Sequence, residues 1–189
     1  SPSPPRTAAT LARHNIKVVN LGNNHILNFG AAGLRSTRSY LDAARVQWFG
    51  DSFIATTTIQ GIPLAFVNYN QLSSSPMPAF PPGYITVVYT HWGEEYQGAT
   101  DNEKELAHQF IDAGADIVIG SHPHVVQEHE VYKGKNIYYS LGNFIFDQYF
   151  SNAVTHGLLL KVQVSPIGVT GVEELSTVLT SDGRTCLVQ

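Results

Sequence analysis

A chain of 189 residues is long enough to bury a sizeable core and is read as one domain spanning residues 1–189. A formal net charge of −4, with no basic block or stripe, excludes a general nucleic-acid binder. No run of about 18 apolar residues is present to span a bilayer, and the single cysteine, Cys186, has no internal disulfide partner.

Residues 1–5 are rich in proline and serine and read as a linker. A short helix is predicted from about Pro5 to His14, with Leu11 on its apolar face, and a strand over Ile16–Leu21. The polar turn Gly22-Asn23-Asn24-His25 follows, and helical spacing of Leu34, Tyr40, Leu41 and Ala44 predicts a helix over Gly30–Val46. Ala55–Ile59 and Ile62–Tyr69 read as strands joined at Gln60-Gly61, and residues 70–83, with four prolines and a serine run, as a surface loop over the site.

Tyr84–Tyr89 is the next strand and ends on Thr90-His91-Trp92-Gly93. Asp101–Ala113 reads as a helix with Leu106, Phe110 and Ile111 inward and Gly114 as its stop. The apolar run Ala115–Ile119 leads into Gly120-Ser121-His122-Pro123-His124. Val131 to Tyr139 reads as a hairpin turning at Gly134, and the tail holds strands over Leu158–Val164 and Gly171–Leu179. Helices early and strands late favour a layered α/β sandwich over a doubly wound sheet.

Three polar clusters follow strand-like runs: Asn23-Asn24-His25, His91-Trp92-Gly93 and His122-Pro123-His124. Open α/β sheets bind ligands outside the carboxyl ends of their strands, so these clusters are expected to share one crevice. Pro123 fixes its own φ and biases His122 towards an extended backbone, a stiff mount for two imidazoles. Histidine nitrogen and asparagine oxygen suit Mn, Fe or Zn, so Asn24, His91, His122 and His124 are the candidate metal ligands. His25, in the same turn as Asn24, is placed to act as a general acid or to make a structural hydrogen bond. His14, His108, His129 and His156 carry no such pattern and read as structural or solvent-facing. Asp51 sits in a Gly-Asp pair but precedes no clean strand-to-helix switch, which argues against a ligand role.

Asn23-Asn24-His25-x-x-Asn28-x-Gly30, His91-Trp92-Gly93-x-Glu95-Tyr96, the stretch from Gly120 to Gln127 and the stretch from Tyr139 to Asp147 together resemble the bacterial capsule synthesis protein CapA family. Its members include the PgsA-type proteins of poly-γ-glutamate production, and the family is similar to calcineurin-like metallophosphoesterases. The resemblance implies an α/β, two-sheet sandwich flanked by helices with a two-metal site. It further implies that Asn24, His91 and His122 hold one metal and His124 the other, with His25 beside the scissile phosphoester. Asn23, Glu95, Asn143 and Asp147 lie in the same motifs and are expected to touch substrate or to orient the ligands, Glu95 and Asp147 through free ring nitrogens. The implied cofactor is a divalent metal, Mn, Fe or Zn, with up to two in the full-length protein.

Two departures from the family pattern matter. Asn28 stands where the family usually has Asp, and nothing before Asn23 supplies the Asp-x-His strand end and Gly-Asp turn that open the phosphoesterase pattern. Two dications held only by neutral ligands repel one another, so a two-metal site needs a bridging carboxylate. The chain, which begins at Ser1 with no signal peptide, is therefore expected to be N-terminally truncated and to lack the first strands of the sandwich. As it stands it is expected to bind metal weakly, at no more than one site. Three functions follow from the resemblance: metal-dependent phosphoester hydrolysis, non-catalytic polymer binding in an envelope synthesis or export complex, and metal-dependent amide hydrolysis. The expected partners are an anionic polymer or phosphoester substrate and membrane-bound capsule synthase components, and no nucleic acid. The expected location is outside the cytoplasmic membrane, on an anchor in the full-length protein.

Overall fold

The first structural unit is a βαβ turn. In the structure, a computed structural model that describes residues 5–73 and 76–188, α1 (Pro5–Arg13) leads into β1 (Val18–Asn20), α2 (Gly30–Ala43) and β2 (Gln47–Phe49). β1 and β2 pair in parallel, with Val18 opposite Gln47. Ala8, Leu41 and Val46, joined by Leu11, Val19 and Tyr40, seal both helices onto this pair. The helix expected to reach Val46 stops at Ala43, because Arg45 takes a left-handed φ of 57° and turns the chain into β2. β2 escapes a periodicity reading because three residues are too few to show one. Of the linker expected at residues 1–5, residues 1–4 lie outside the described residues, as do the serines at 74 and 75, and Pro5 already opens α1.

A six-stranded sheet forms the centre, in the order β3-β4-β5-β6-β8-β7. β3 (Ala55–Ile59) and β4 (Ile62–Asn70) form a hairpin whose turn residues Gln60 and Gly61 both have positive φ, as a tight two-residue hairpin demands. β5 (Ile85–His91) and β6 (Ile117–Ser121) continue the sheet in parallel, followed by β8 (Lys135–Tyr138). β7 (His129–Tyr132) closes the far edge as the hairpin partner of β8. The parallel strands β5 and β6 are almost wholly buried, with Val87, Val88, Ile117, Val118 and Ile119 in the core, as strands covered on both faces must be.

α3 (Asp101–Asp112) covers one face, where Phe110, Ala107, Val88, Val118 and Trp92 form the core. Its start is fixed by a capping box: Thr100 accepts from the Glu103 amide, and the Glu103 carboxylate accepts from the Thr100 amide and hydroxyl. On the other face Val87, Ile117, Ile119 and Tyr138 pack against Leu160, Val162 and Val172. These belong to a second sheet of β9 (His156–Ser165), β10 (Gly168–Leu179) and β11 (Thr185–Leu187). β11, three residues long, has no sequence signal of its own. The layered α/β expectation agrees with this architecture. The layer facing the central sheet, however, consists of two separate sheets, β1-β2 and β9-β10-β11, where one was expected. No helix among the described residues is long and apolar enough to cross a membrane.

Candidate metal and ligand site

Register decides where the side chains meet. β5 and β6 pair with His91 opposite Ser121 and Thr90 opposite Gly120, so both strands deliver their last residues at the same level. Trp92, fully buried, donates its indole N–H to Tyr139 O at 2.8 Å and pins the chain just past His91. The turn after β1 is shaped by its own asparagines. Asn20 Oδ1 accepts from the Gly22 amide and Asn23 Oδ1 from the His25 amide, each at 2.9 Å, a local bonding habit that suits Asn to turns. Buried Asn68 on β4 ties this turn to β5, donating to Gly22 O and Tyr89 O.

These elements frame a cavity of about 910 Å³. One end is lined by Asn23, Asn24, His25, His91, His122, His124 and Asn143, and the other by apolar residues including Val18, Phe49, Phe66 and Val87. The imidazoles of His91 and His122 lie 4.7 Å apart between centroids, and those of His122 and His124 6.2 Å apart. His122 and His124 have φ of 104° and 61°, so the backbone before Pro123 is left-handed rather than extended. Proline restricts the preceding residue but does not decide it, and tertiary contacts win here. Non-glycine residues held in such conformations cost free energy and concentrate at functional sites.

The hydrogen bonds assign the ring nitrogens. Ser121 Oγ donates to Thr90 O at 2.7 Å and therefore accepts from His91 Nδ1, 3.3 Å away. In that tautomer His91 Nε2 carries a lone pair, and it faces Asn24 Oδ1 at 3.0 Å. Two acceptors aimed at each other need a cation or proton between them. Neighbouring donors in bonds of about 2.1 Å meeting near a right angle are also about 3.0 Å apart. His124 Nδ1 donates to Asn143 Oδ1 at 2.8 Å, and Asn143 Nδ2 is itself held by Gln148 Oε1 and Val154 O, which leaves His124 Nε2 for a ligand. Asn28 Nδ2 lies 3.1 Å from His25 Nδ1; as a donor it leaves the His25 proton on Nε2.

Glu95 and Asp147 are exposed, and neither lines the cavity or hydrogen-bonds to an imidazole among the described residues. Asn143, expected beside the ligands, does hold His124, and Ser121 and Asn28, which were not expected to, hold His91 and His25. Glu95 acts on His122 only through its charge, which opposes the lowering of that ring's pKa by burial. Asp51 is not among the residues lining the cavity and lies 3.9 Å from the Arg38 guanidinium. His108 bonds Glu130, His129 bonds Asn136 and His156 bonds Asn152 O, all outside the cavity lining. Among the described residues no three His, Cys, Asp or Glu side chains group closely enough to hold a metal. Asn24, His91 and His122, the residues expected to hold one cation, include only two of those types.

The bacterial capsule synthesis protein PGA_cap family model matches residues 2–83 and 81–148, which takes in every candidate residue. The chain belongs to this family. It is 33% identical over 165 residues to the PGA biosynthesis protein CapA of Bacillus subtilis, covering 71% of this chain and 43% of that protein. It is 32% identical over 176 residues to the capsule biosynthesis protein CapA of Bacillus anthracis, covering 75% and 43%. A probable polyglutamine synthesis accessory protein of Mycobacterium tuberculosis is 28% identical over 168 residues, covering 67% and 44%. The chain thus spans less than half the length of these capsule-synthesis relatives.

One property of this family member is testable through acid stability. Burial, and then the neighbouring His122, His124 and His25, lower the His91 pKa from 6.5 to about 3. Between those values the unfolded chain binds a proton that the folded chain refuses, so His91 contributes stability that is complete above 6.5 and lost on acidification towards 3. Urea midpoints of the metal-free protein should therefore fall on acidification, and His91→Asn should flatten that fall. An identical acid slope in the variant would contradict the assignment.

Proposed function

We propose that this chain serves capsule or poly-γ-glutamate biosynthesis as the ligand-bearing part of a metal-dependent, phosphoesterase-like centre. The observation that carries the reading is the approach of His91 Nε2 to Asn24 Oδ1, 3.0 Å apart, beside His122. A proton on His91 Nε2 or a rotated Asn24 amide would satisfy that pair without a cation, and metal titration separates these cases from a bound ion. Nitrogen and neutral oxygen donors favour Mn, Fe or Zn. A bound divalent cation would polarise a phosphoryl oxygen and acidify a water. Asn24, His91 and His122 would hold it, and His124 Nε2 would serve a second cation or the substrate. His25, with its proton on Nε2, would protonate the leaving oxygen.

The metallophosphoesterase-like fold is part of this proposal. It is supported by the layering of further strands over one face of the central sheet and of α3 over the other, although those strands form two sheets where the sandwich would have one. Location outside the cytoplasmic membrane, beside membrane-bound synthase components, belongs to the same reading.

A purely polymer-binding role for an anionic chain is less well supported. No Lys or Arg is among the residues lining the cavity, so an anionic ligand lacks a cationic partner unless metal supplies one. Amide hydrolysis by a serine nucleophile is disfavoured too: Ser121 donates its proton to Thr90 O, and the depressed pKa makes His91 a poor base. The test is elemental analysis after dialysis against Mn, Fe or Zn, with hydrolysis of bis(p-nitrophenyl) phosphate. The chain as given should take up at most one cation with little hydrolysis. A protein extended by an upstream Asp-x-His and Gly-Asp segment should take up two and turn over. Metal-free protein in both cases would refute the reading.

A further inference from the structure

The mouth of the cavity is flanked by an aromatic shelf. Phe144, Ile145, Phe146, Tyr149 and Phe150 are all exposed within seven residues, Ile145 at 76% and Phe150 at 67%. So dense an apolar stretch at the surface forfeits burial energy of about 25 cal/mol per Å² and marks a binding surface. Phe144, Ile145 and Phe146 also line the cavity, so shelf and site are continuous.

The shelf is wired to the site. His124 stacks on Phe146 at 4.7 Å and on Tyr96 at 5.9 Å, and Phe150 meets Tyr96 edge-on at 5.2 Å. Hydrogen bonds run alongside, from Gln148 Nε2 to the Tyr96 hydroxyl, from Asn143 Nδ2 to Gln148 Oε1, and from His124 Nδ1 to Asn143 Oδ1. Tyr96 itself has a left-handed φ of 64°, so this ring is held where it is at a backbone cost. No Lys or Arg lines the cavity beside it, and the nearest acidic side chains in sequence, Glu95 and Asp147, would repel an anionic group laid on the rings.

We propose that Tyr96, Phe146 and Phe150 form a subsite for an uncharged planar or aliphatic group on a ligand whose anionic head enters the imidazole end. The proposal rests on the reading of that end as a metal-assisted oxyanion site. It assigns the shelf to selection: a small oxyanion gains nothing from it, whereas a substituted one stacks on it.

The test is calorimetric binding of phenylphosphonate and methylphosphonate to Mn-dialysed protein, which needs no turnover. Phenylphosphonate should bind about tenfold tighter. Phe150→Ala, at an exposed position that should not disturb folding, should bring the ratio close to one, while Val131→Ala, an exposed apolar residue outside the cavity lining, should keep it. Equal affinity in the native protein, or a ratio unchanged by Phe150→Ala, overturns the shelf while methylphosphonate binding still upholds the oxyanion site. Failure of both probes to bind overturns the site reading and the shelf with it. A ratio unchanged by Phe150→Ala, combined with loss of self-association in that variant, would assign the patch to a second copy of the chain.

Discussion

Replacing His122 with alanine is expected to abolish tight metal binding and to lower phosphodiester turnover of the upstream-extended protein by about a hundredfold or more. His122 shares the imidazole cluster with His91, 4.7 Å between ring centroids, and without it one imidazole and one amide remain for the first cation. His25→Ala should behave differently, leaving metal content intact while slowing turnover by about 10²–10⁴, the usual contribution of a general acid. Elemental analysis alongside the hydrolysis assay separates these effects. Full metal content in the His122→Ala protein would place the cation elsewhere.

The second large effect belongs to a residue with no side chain. A Cβ on Gly120 would lie 1.8 Å from Tyr139 O and 2.6 Å from Trp92 Nε1, the two atoms that bond each other beneath the site. Neither can retreat, because Trp92 and Tyr139 are both fully buried. Gly120→Ala should therefore destabilise the protein by about 3 kcal/mol or more, combining overpacking with a broken buried hydrogen bond. Metal affinity should fall as well, since Trp92 adjoins His91 and Gly120 lies two residues before His122. Urea unfolding measures the first effect and metal titration the second. A stability within about 1 kcal/mol of native, below the usual cost of overpacking, would show that the strands slide to accommodate the methyl.

Much of this arrangement was legible in the residues. Strands read over Tyr84–Tyr89 and Ala115–Ile119 form within two residues of those bounds, ending at His91 and Ser121, and their polar tips line one cavity. The family resemblance likewise holds over the motifs that carried it. What escaped was short or long-range. β2 and β11 have three residues each, and pairing with β1 and β10 makes them strands. Asn143, named in the motifs, does hold His124, but Glu95 and Asp147, expected to orient rings, hydrogen-bond to none among the described residues. Ser121 and Asn28 hold His91 and His25 through neutral hydrogen bonds, and only the sheet register puts Ser121 beside His91. The left-handed backbone of His122 also contradicts the local proline rule, because neighbouring strands over-determine that turn.

The pair formed by Asn24 and His91 joins positions 67 residues apart, across two different sheets. A chain that has built only one of those sheets has no such pair, so capture of a ligand there is inseparable from completion of the tertiary structure. By mass action, a cation present at a hundred times its dissociation constant adds about 2.7 kcal/mol to the folded state alone. On the proposed metal reading, the melting temperature is expected to rise with cation concentration, and a melting temperature indifferent to added Mn, Fe or Zn would count against it.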